Sequence, residues 1–124
     1  MKLNNILITL GSNIDEIKNI SEAKAMLKEF FGNLKYSTFI WTQPIGIDTG
    51  CFLNGLAYGE THYDMEQTVA ILKDIEQRCG SLKEEKRMGI VRLDLDLMKY
   101  GETICHVDDW KRTYVQELYK ELNL

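Results

Sequence analysis

In the run Arg92-Leu93-Asp94-Leu95-Asp96-Leu97, two carboxylates alternate with three leucines. That two-residue period belongs to a β-strand, so Asp94 and Asp96 project from one face with their Cα atoms about 6.5 to 7 Å apart. The spacing suits a hard divalent cation. Mg²⁺ takes oxygen ligands, keeps several waters, and is commonly held by one or two carboxylates together with substrate phosphates. The alternative is the solvated face of a half-buried antiparallel strand, where any polar residue would serve. Against it stand the depletion of aspartate in strands and the repulsion of like charges side by side.

Just before this strand, Lys83, Lys86, Arg87 and Arg92 outnumber Glu84 and Glu85. A basic stretch bounded by Gly80 and Gly89 either folds over phosphate groups or is an ordinary charged surface. Asn54 lies beside Phe52, across from Thr42-Gln43-Pro44-Ile45-Gly46. Its amide, donor and acceptor together, suits the edge of a flat aromatic ligand, or else it forms a turn near a strand start. His106 and Arg112 would clamp an anion at the head of the last helix, or make plain polar surface. Cys51, Cys79, Cys105 and His62 read as packing or surface residues. Three widely spaced cysteines with no Cys-x-x-Cys pair suggest neither a disulfide framework nor a thiolate zinc site.

These residues need elements to position them. Ile6 to Leu10 is an apolar strand that stops at Gly11-Ser12-Asn13, and Ile17, Ile20, Ala23, Leu27 and Phe30 then predict an amphipathic helix closed by Gly32. Tyr36 to Thr42 and Phe52 to Glu60 predict a hairpin with a long tip. Asp64 and Gln67 make a capping box for a second helix carrying Met65, Val69, Leu72 and Ile75 and ended by Gly80. Ser81 to Gly89 predicts a mobile surface loop, Leu93 to Leu97 the acidic strand, and Trp110, Tyr114, Leu118 and Leu122 one short closing helix. The order β, α, β, β, α, β, α favours an α+β, ferredoxin-like antiparallel sheet with helices covering one face.

With 124 residues, 44% of them hydrophobic, 27% charged and only one proline, the chain reads as a single domain, residues 1–124, that needs no metal or disulfide staple. A net charge of −4 repels a polyphosphate backbone, so nucleic acid is not the expected partner. The apolar run from Ile6 is far short of a membrane span or a signal segment, which gives a cytoplasmic expectation with no membrane partner.

From Leu7 to Leu118 the chain resembles the 6-hydroxymethyl-7,8-dihydropterin pyrophosphokinase family of folate biosynthesis. The resemblance rests on Leu10-Gly11-Ser12-Asn13, Thr42-Gln43-Pro44-Ile45-Gly46 followed by Phe52-Leu53-Asn54, Ile75-Glu76 with Gly80, and Arg87-Met88-Gly89 leading into Leu93-Asp94-Leu95-Asp96-Leu97. It implies a ferredoxin-like enzyme that moves pyrophosphate from ATP to the pterin's hydroxymethyl group and releases AMP, as a monomer or weak dimer. Asp94 and Asp96 would hold two Mg²⁺ ions, with Arg87 and Arg92 beside them in catalysis. Thr42, Gln43, Pro44, Ile45, Phe52, Asn54 and Tyr114 would receive the pterin. Lys73, Glu76, Lys83, Leu97, His106 and Arg112 would contact the nucleotide.

The chain departs from the family pattern in its loop, where Arg87-Met88-Gly89-Ile90-Val91 replaces Arg-Trp-Gly-Pro-Arg and Arg92 is displaced by one residue. Ser81 and Lys83 stand where arginines are common, and only four residues separate Gly101 from His106. Weakened turnover is the resulting expectation. The alternatives are a non-catalytic paralogue that keeps the pocket, and a ferredoxin-like interaction domain without a ligand site.

Overall fold

The computed structural model describes residues 2–43 and 51–124. Strand β1 (Asn4–Ser12) runs up the centre of an antiparallel sheet, paired on one side with β4 (Phe52–Thr61) and on the other with β5 (Asp94–Tyr100). The outer edge of β4 is taken by β2 (Lys35–Tyr36) and β3 (Ile40–Thr42), and β6 (Thr103–Ile104) closes the other edge. With β2 and β3 taken as one strand, the order edge strand, β4, β1, β5 is that of a ferredoxin-like βαββαβ unit. The expected hairpin is present, but its first strand is broken at Ser37. There the Ser37 N–H donates to Leu56 O at 3.0 Å and the Ser37 hydroxyl accepts from the Leu56 N–H at 2.9 Å. Pro44, Ile45 and the rest of the hairpin tip lie outside the described residues.

Helices α1 (Glu16–Phe31) and α2 (Met65–Arg78) pack on one face of the sheet. The buried stripe of α1 is Ile20, Ala23, Leu27 and Phe31, whereas Ile17 is 70% exposed. At 100° per residue Ile17 and Phe30 sit about 60° and 80° from Ile20, at the margins of the stripe, so Phe31 takes the core position assigned to Phe30. In α2 the capping box is complete in both directions, and Leu72 and Ile75 are buried while Val69 is 40% exposed. These side chains share one core with Ile6, Ile8, Leu10, Leu95 and Leu97 from the strands and with Leu93 just before β5.

The expectation of helices on a single face is corrected by the C-terminus. The predicted closing helix is two pieces, α4 (Val107–Trp110) and α5 (Thr113–Glu121), and α5 crosses to the opposite face. There Val115, Leu118 and Leu122 cover Leu7, Leu56 and Met98. A nine-residue helix spans only about 13 Å, so it roofs one end of that face and leaves the other open. The second correction concerns residues 81–89, where a turn of helix, α3 (Lys83–Arg87), replaces the expected loop.

Candidate active site

The open end of the second face is where the polar positions of three strands converge. Strand register places Asn54, Gly11 and Asp94 in one row and Leu56, Thr9 and Asp96 in the next. All point away from the α1 and α2 core, because Ile8, Leu10, Leu93, Leu95 and Leu97 occupy the alternate positions. Around the two rows lies a cleft of about 240 Å³, walled by Thr42, Gln43 and Phe52 on the hairpin side, by Lys86, Gly89 and Val91 from the α3 connection, and by Asp109, Arg112 and Tyr114 from the C-terminus.

One end of the cleft is neutral and aromatic. Asn54 Nδ2 donates to the Thr42 hydroxyl, which fixes the amide's orientation. Gly11 opposite Asn54 is required by space: a Cβ there would lie 2.6 Å from Asn54 Oδ1, inside contact distance. Phe52 brings a ring to this end, its edge 3.8 Å from where a Gly11 Cβ would lie. Tyr114, whose phenol pKa is pushed up by burial and whose hydroxyl accepts from Arg112 at 3.4 Å, adds a second ring to the cleft lining. A flat heterocycle with an amide edge matches such a slot in chemistry.

The other end is charged. Asp96 is largely withdrawn from water, and burial first, then the neighbouring Asp94 carboxylate, pushes its pKa up. His106 and Lys73 oppose that rise more weakly. Among the described residues no cation comes within 4 Å of the Asp96 carboxylate, whereas Asp94 Oδ1 has the Lys86 ammonium at 3.8 Å. A half-desolvated carboxylate pair in a cleft is a donor set that a divalent cation would relieve. The described residues hold no group of three or more His, Cys, Asp or Glu side chains fit to bind a metal. A cation here would therefore complete its shell with waters and ligand oxygens, the habit of Mg²⁺.

The walls are fixed by contacts between residues far apart in sequence. Asn13, directly after β1, donates from Nδ2 to Gly89 O at 2.6 Å, accepts from the Val91 N–H at 2.7 Å, and donates its own N–H to Val91 O at 2.9 Å. Gly89 takes a positive φ of 82°, a conformation that costs a residue with a Cβ about 1 kcal/mol or more. Arg92 forms a two-pronged pair with Glu85, Nε to Oε1 and Nη2 to Oε2 both 2.9 Å, tying α3 to the start of β5. Beneath, the buried Glu76 carboxylate accepts the Leu95 N–H at 2.7 Å, and burial pushes its pKa up.

Of the site residues expected from sequence, Thr42, Gln43, Phe52, Asn54, Asp94, Asp96, Arg112 and Tyr114 line this single cleft. Arg92 is engaged with Glu85 and lies before β5 rather than in it, so it does not share the aspartates' face as a strand residue would. Leu97 is buried in the core under α1 and α2, Glu76 is buried against β5 outside the lining, and Lys73, Lys83, Arg87 and His106 are exposed outside it. The structure adds Thr9, Gly11, Lys86 and Asp109. Thr9 and Gly11 were legible in principle, since they fall on the alternate face of a strand whose other face is Ile8 and Leu10. Lys86 carried no signal beyond its membership of a basic stretch.

A sequence model of the 7,8-dihydro-6-hydroxymethylpterin-pyrophosphokinase family matches residues 7–123. The chain belongs to that family. Among curated proteins it is similar to the folate synthesis bifunctional protein of Arabidopsis thaliana, 30% identical over an alignment 121 residues long that covers 89% of this chain and 25% of the plant protein. The chain thus spans about a quarter of the length of that relative. As a pyrophosphokinase-family domain it has an α+β sheet that brings Asp94 and Asp96 to the wall of a cleft. Among the described residues no helix is long and apolar enough to cross a membrane.

Proposed function

We propose that this domain transfers a pyrophosphoryl group from ATP to the hydroxymethyl group of 6-hydroxymethyl-7,8-dihydropterin, leaving AMP. The observation that carries the reading is the make-up of the cleft: the Asn54 amide with Phe52 on the β4 side, Asp94 and Asp96 on the β5 side and a second ring from Tyr114, all lining one cavity. The neutral end would take the pterin, its amide edge against Asn54 and Thr42 and its ring between Phe52 and Tyr114. The charged end would take the triphosphate. Bound by Asp94 and Asp96, Mg²⁺, in the two-ion form the family resemblance implies, would neutralise phosphate charge and align the chain for in-line displacement.

What remains for the protein is positioning. The Asn54–Thr42 pair orients the acceptor so that its hydroxymethyl oxygen faces the β-phosphorus, where a new O–P bond forms as the bond to the AMP oxygen breaks and the hydroxyl proton leaves to solvent. Lys86 from α3 and Arg112 from the C-terminal segment supply positive charge to the cleft. Gln43 stays in the proposed site as part of the cleft wall, whereas Pro44, Ile45, Lys73, Glu76, Lys83, Leu97, His106, Arg87 and Arg92 stay in it on the resemblance alone.

The pairing of Arg92 with Glu85 favours slow turnover, and with it the second reading of a pocket-keeping paralogue, since a lost arginine contact to a transition-state phosphate costs on the order of 10²-fold in rate. Incubation with ATP, Mg²⁺ and the hydroxymethyl pterin separates the two. AMP formation supports the transferase. Tight binding of both ligands without AMP supports the paralogue, and failure to bind either leaves a domain without a ligand site.

A further inference from the structure

Lys86 stands out among the cleft residues because it answers to two carboxylates on different elements. Its ammonium lies 3.8 Å from Asp94 Oδ1 on β5 and 3.8 Å from Glu76 Oε1 on α2. Both separations are beyond hydrogen-bond range, so the group is held between the two by charge and not by a directed bond. Its side chain keeps about a third of its surface in water, at 35%, while that of Glu76 keeps only 6%. The backbone that carries it is anchored on both sides, through the Arg92 fork to Glu85 and through the Asn13 clasp on Gly89 and Val91. With the backbone fixed, the four-carbon stem of lysine is the moving part, and it is long enough to carry the charge a few ångströms within the cleft.

We propose that Lys86 is the cleft's exchangeable cation: it shields Asp94 when no ligand is present and passes to the nucleotide's phosphates when a metal takes its place. The proposal rests on the reading of Asp94 and Asp96 as metal ligands. A divalent ion arriving at Asp94 meets a resident like charge and pushes it aside. The phosphate oxygens that accompany that ion then offer the ammonium a new partner close by. Lys86 thereby opposes metal binding in the empty cleft and favours it in the nucleotide complex. A purely structural salt link would move both affinities in the same direction.

The test uses the full chain with Lys86→Met, which keeps the stem and removes the charge, and Lys86→Arg, which keeps the charge. Mn²⁺ alone, followed by paramagnetic resonance, should bind Lys86→Met about fivefold more tightly than wild type, because the ion no longer has to displace the Lys86–Asp94 attraction, which between unit charges about 4 Å apart in a water-like medium is worth that factor. A Mg²⁺ complex of a non-hydrolysable ATP analogue, followed by calorimetry, should bind the same variant about tenfold more weakly, with Lys86→Arg restoring most of the loss. Equal or weaker Mn²⁺ binding by Lys86→Met, or unchanged nucleotide binding, overturns the proposal while leaving the metal assignment in place if wild type binds both. Wild type that binds neither Mn²⁺ nor the nucleotide complex overturns the metal assignment itself. Should Lys86→Met unfold, Lys86→Gln reads the same opposite-signed pair of affinities.

Discussion

Replacing Asp96 by Asn should make the metal-free protein more stable and its ligand binding worse. Asp94 and Asp96 share a strand face, with Cα atoms about 7 Å apart. Two unit charges at that distance repel by about 0.6 kcal/mol in bulk water and about 2.4 kcal/mol at an effective dielectric of 20. Lys86, 3.8 Å from Asp94, offsets part of this, so about 1 kcal/mol remains to be recovered by Asp96→Asn. On a domain of this size that is about 4 °C in Tm. Asp94→Asn should give little or no gain, because it removes the attraction to Lys86 along with the repulsion.

The effect has a defined pH course. The folded-state pKa of Asp96 lies above its unfolded value, chiefly through burial, so on acidification the folded protein takes up the proton first. The stabilisation that protonation gives wild type is complete below the unfolded pKa and lost as pH rises through the folded one. The advantage of Asp96→Asn is therefore full at pH 7 and shrinks as pH falls through the folded-state pKa. Urea unfolding in chelator at pH 7 and pH 4.5 measures it, and Mn²⁺ titration measures the expected loss of at least tenfold in metal affinity. A variant less stable than wild type at pH 7, or an advantage that grows on acidification, would refute the account of Asp96 as a half-buried, repelled carboxylate.

Three further outcomes are expected. Gly11→Ala places a methyl 2.6 Å from Asn54 Oδ1, so the amide must leave Thr42; pterin affinity measured by fluorescence should fall about tenfold, with a stability cost of about 1 to 3 kcal/mol in urea. Asn13→Ala removes two side-chain hydrogen bonds to the α3–β5 connection, which should cost about 2 kcal/mol and raise hydrogen exchange at Val91 well above that of β1. Glu76→Ala leaves the buried Leu95 N–H without its acceptor and should lose about 2 kcal/mol in urea unfolding, whereas Glu76→Gln keeps an acceptor in reach and should lose less than half as much.

Much of this protein is determined locally and is therefore readable in the chain itself. The alternation in Leu93 to Leu97 dictates a strand with leucines inside and aspartates outside, because a β-strand turns each successive side chain to the opposite face. Asp64 and Gln67 start α2 because each satisfies the other's backbone N–H within one turn. Tertiary structure decided what those faces meet. Nothing near Leu118 says that α5 crosses to the second face and stops short, yet that creates the cleft on which Asp94 and Asp96 open. Nothing in the basic stretch distinguishes Lys86, which reaches the cleft, from Arg92, which is held by Glu85. The hydrophobic pattern fixes which side of an element is buried, because burial depends on periodicity within the element. Which charge stands beside which depends on contacts such as Asn13 to Gly89, 76 residues apart, and those exist only once the chain has closed on itself.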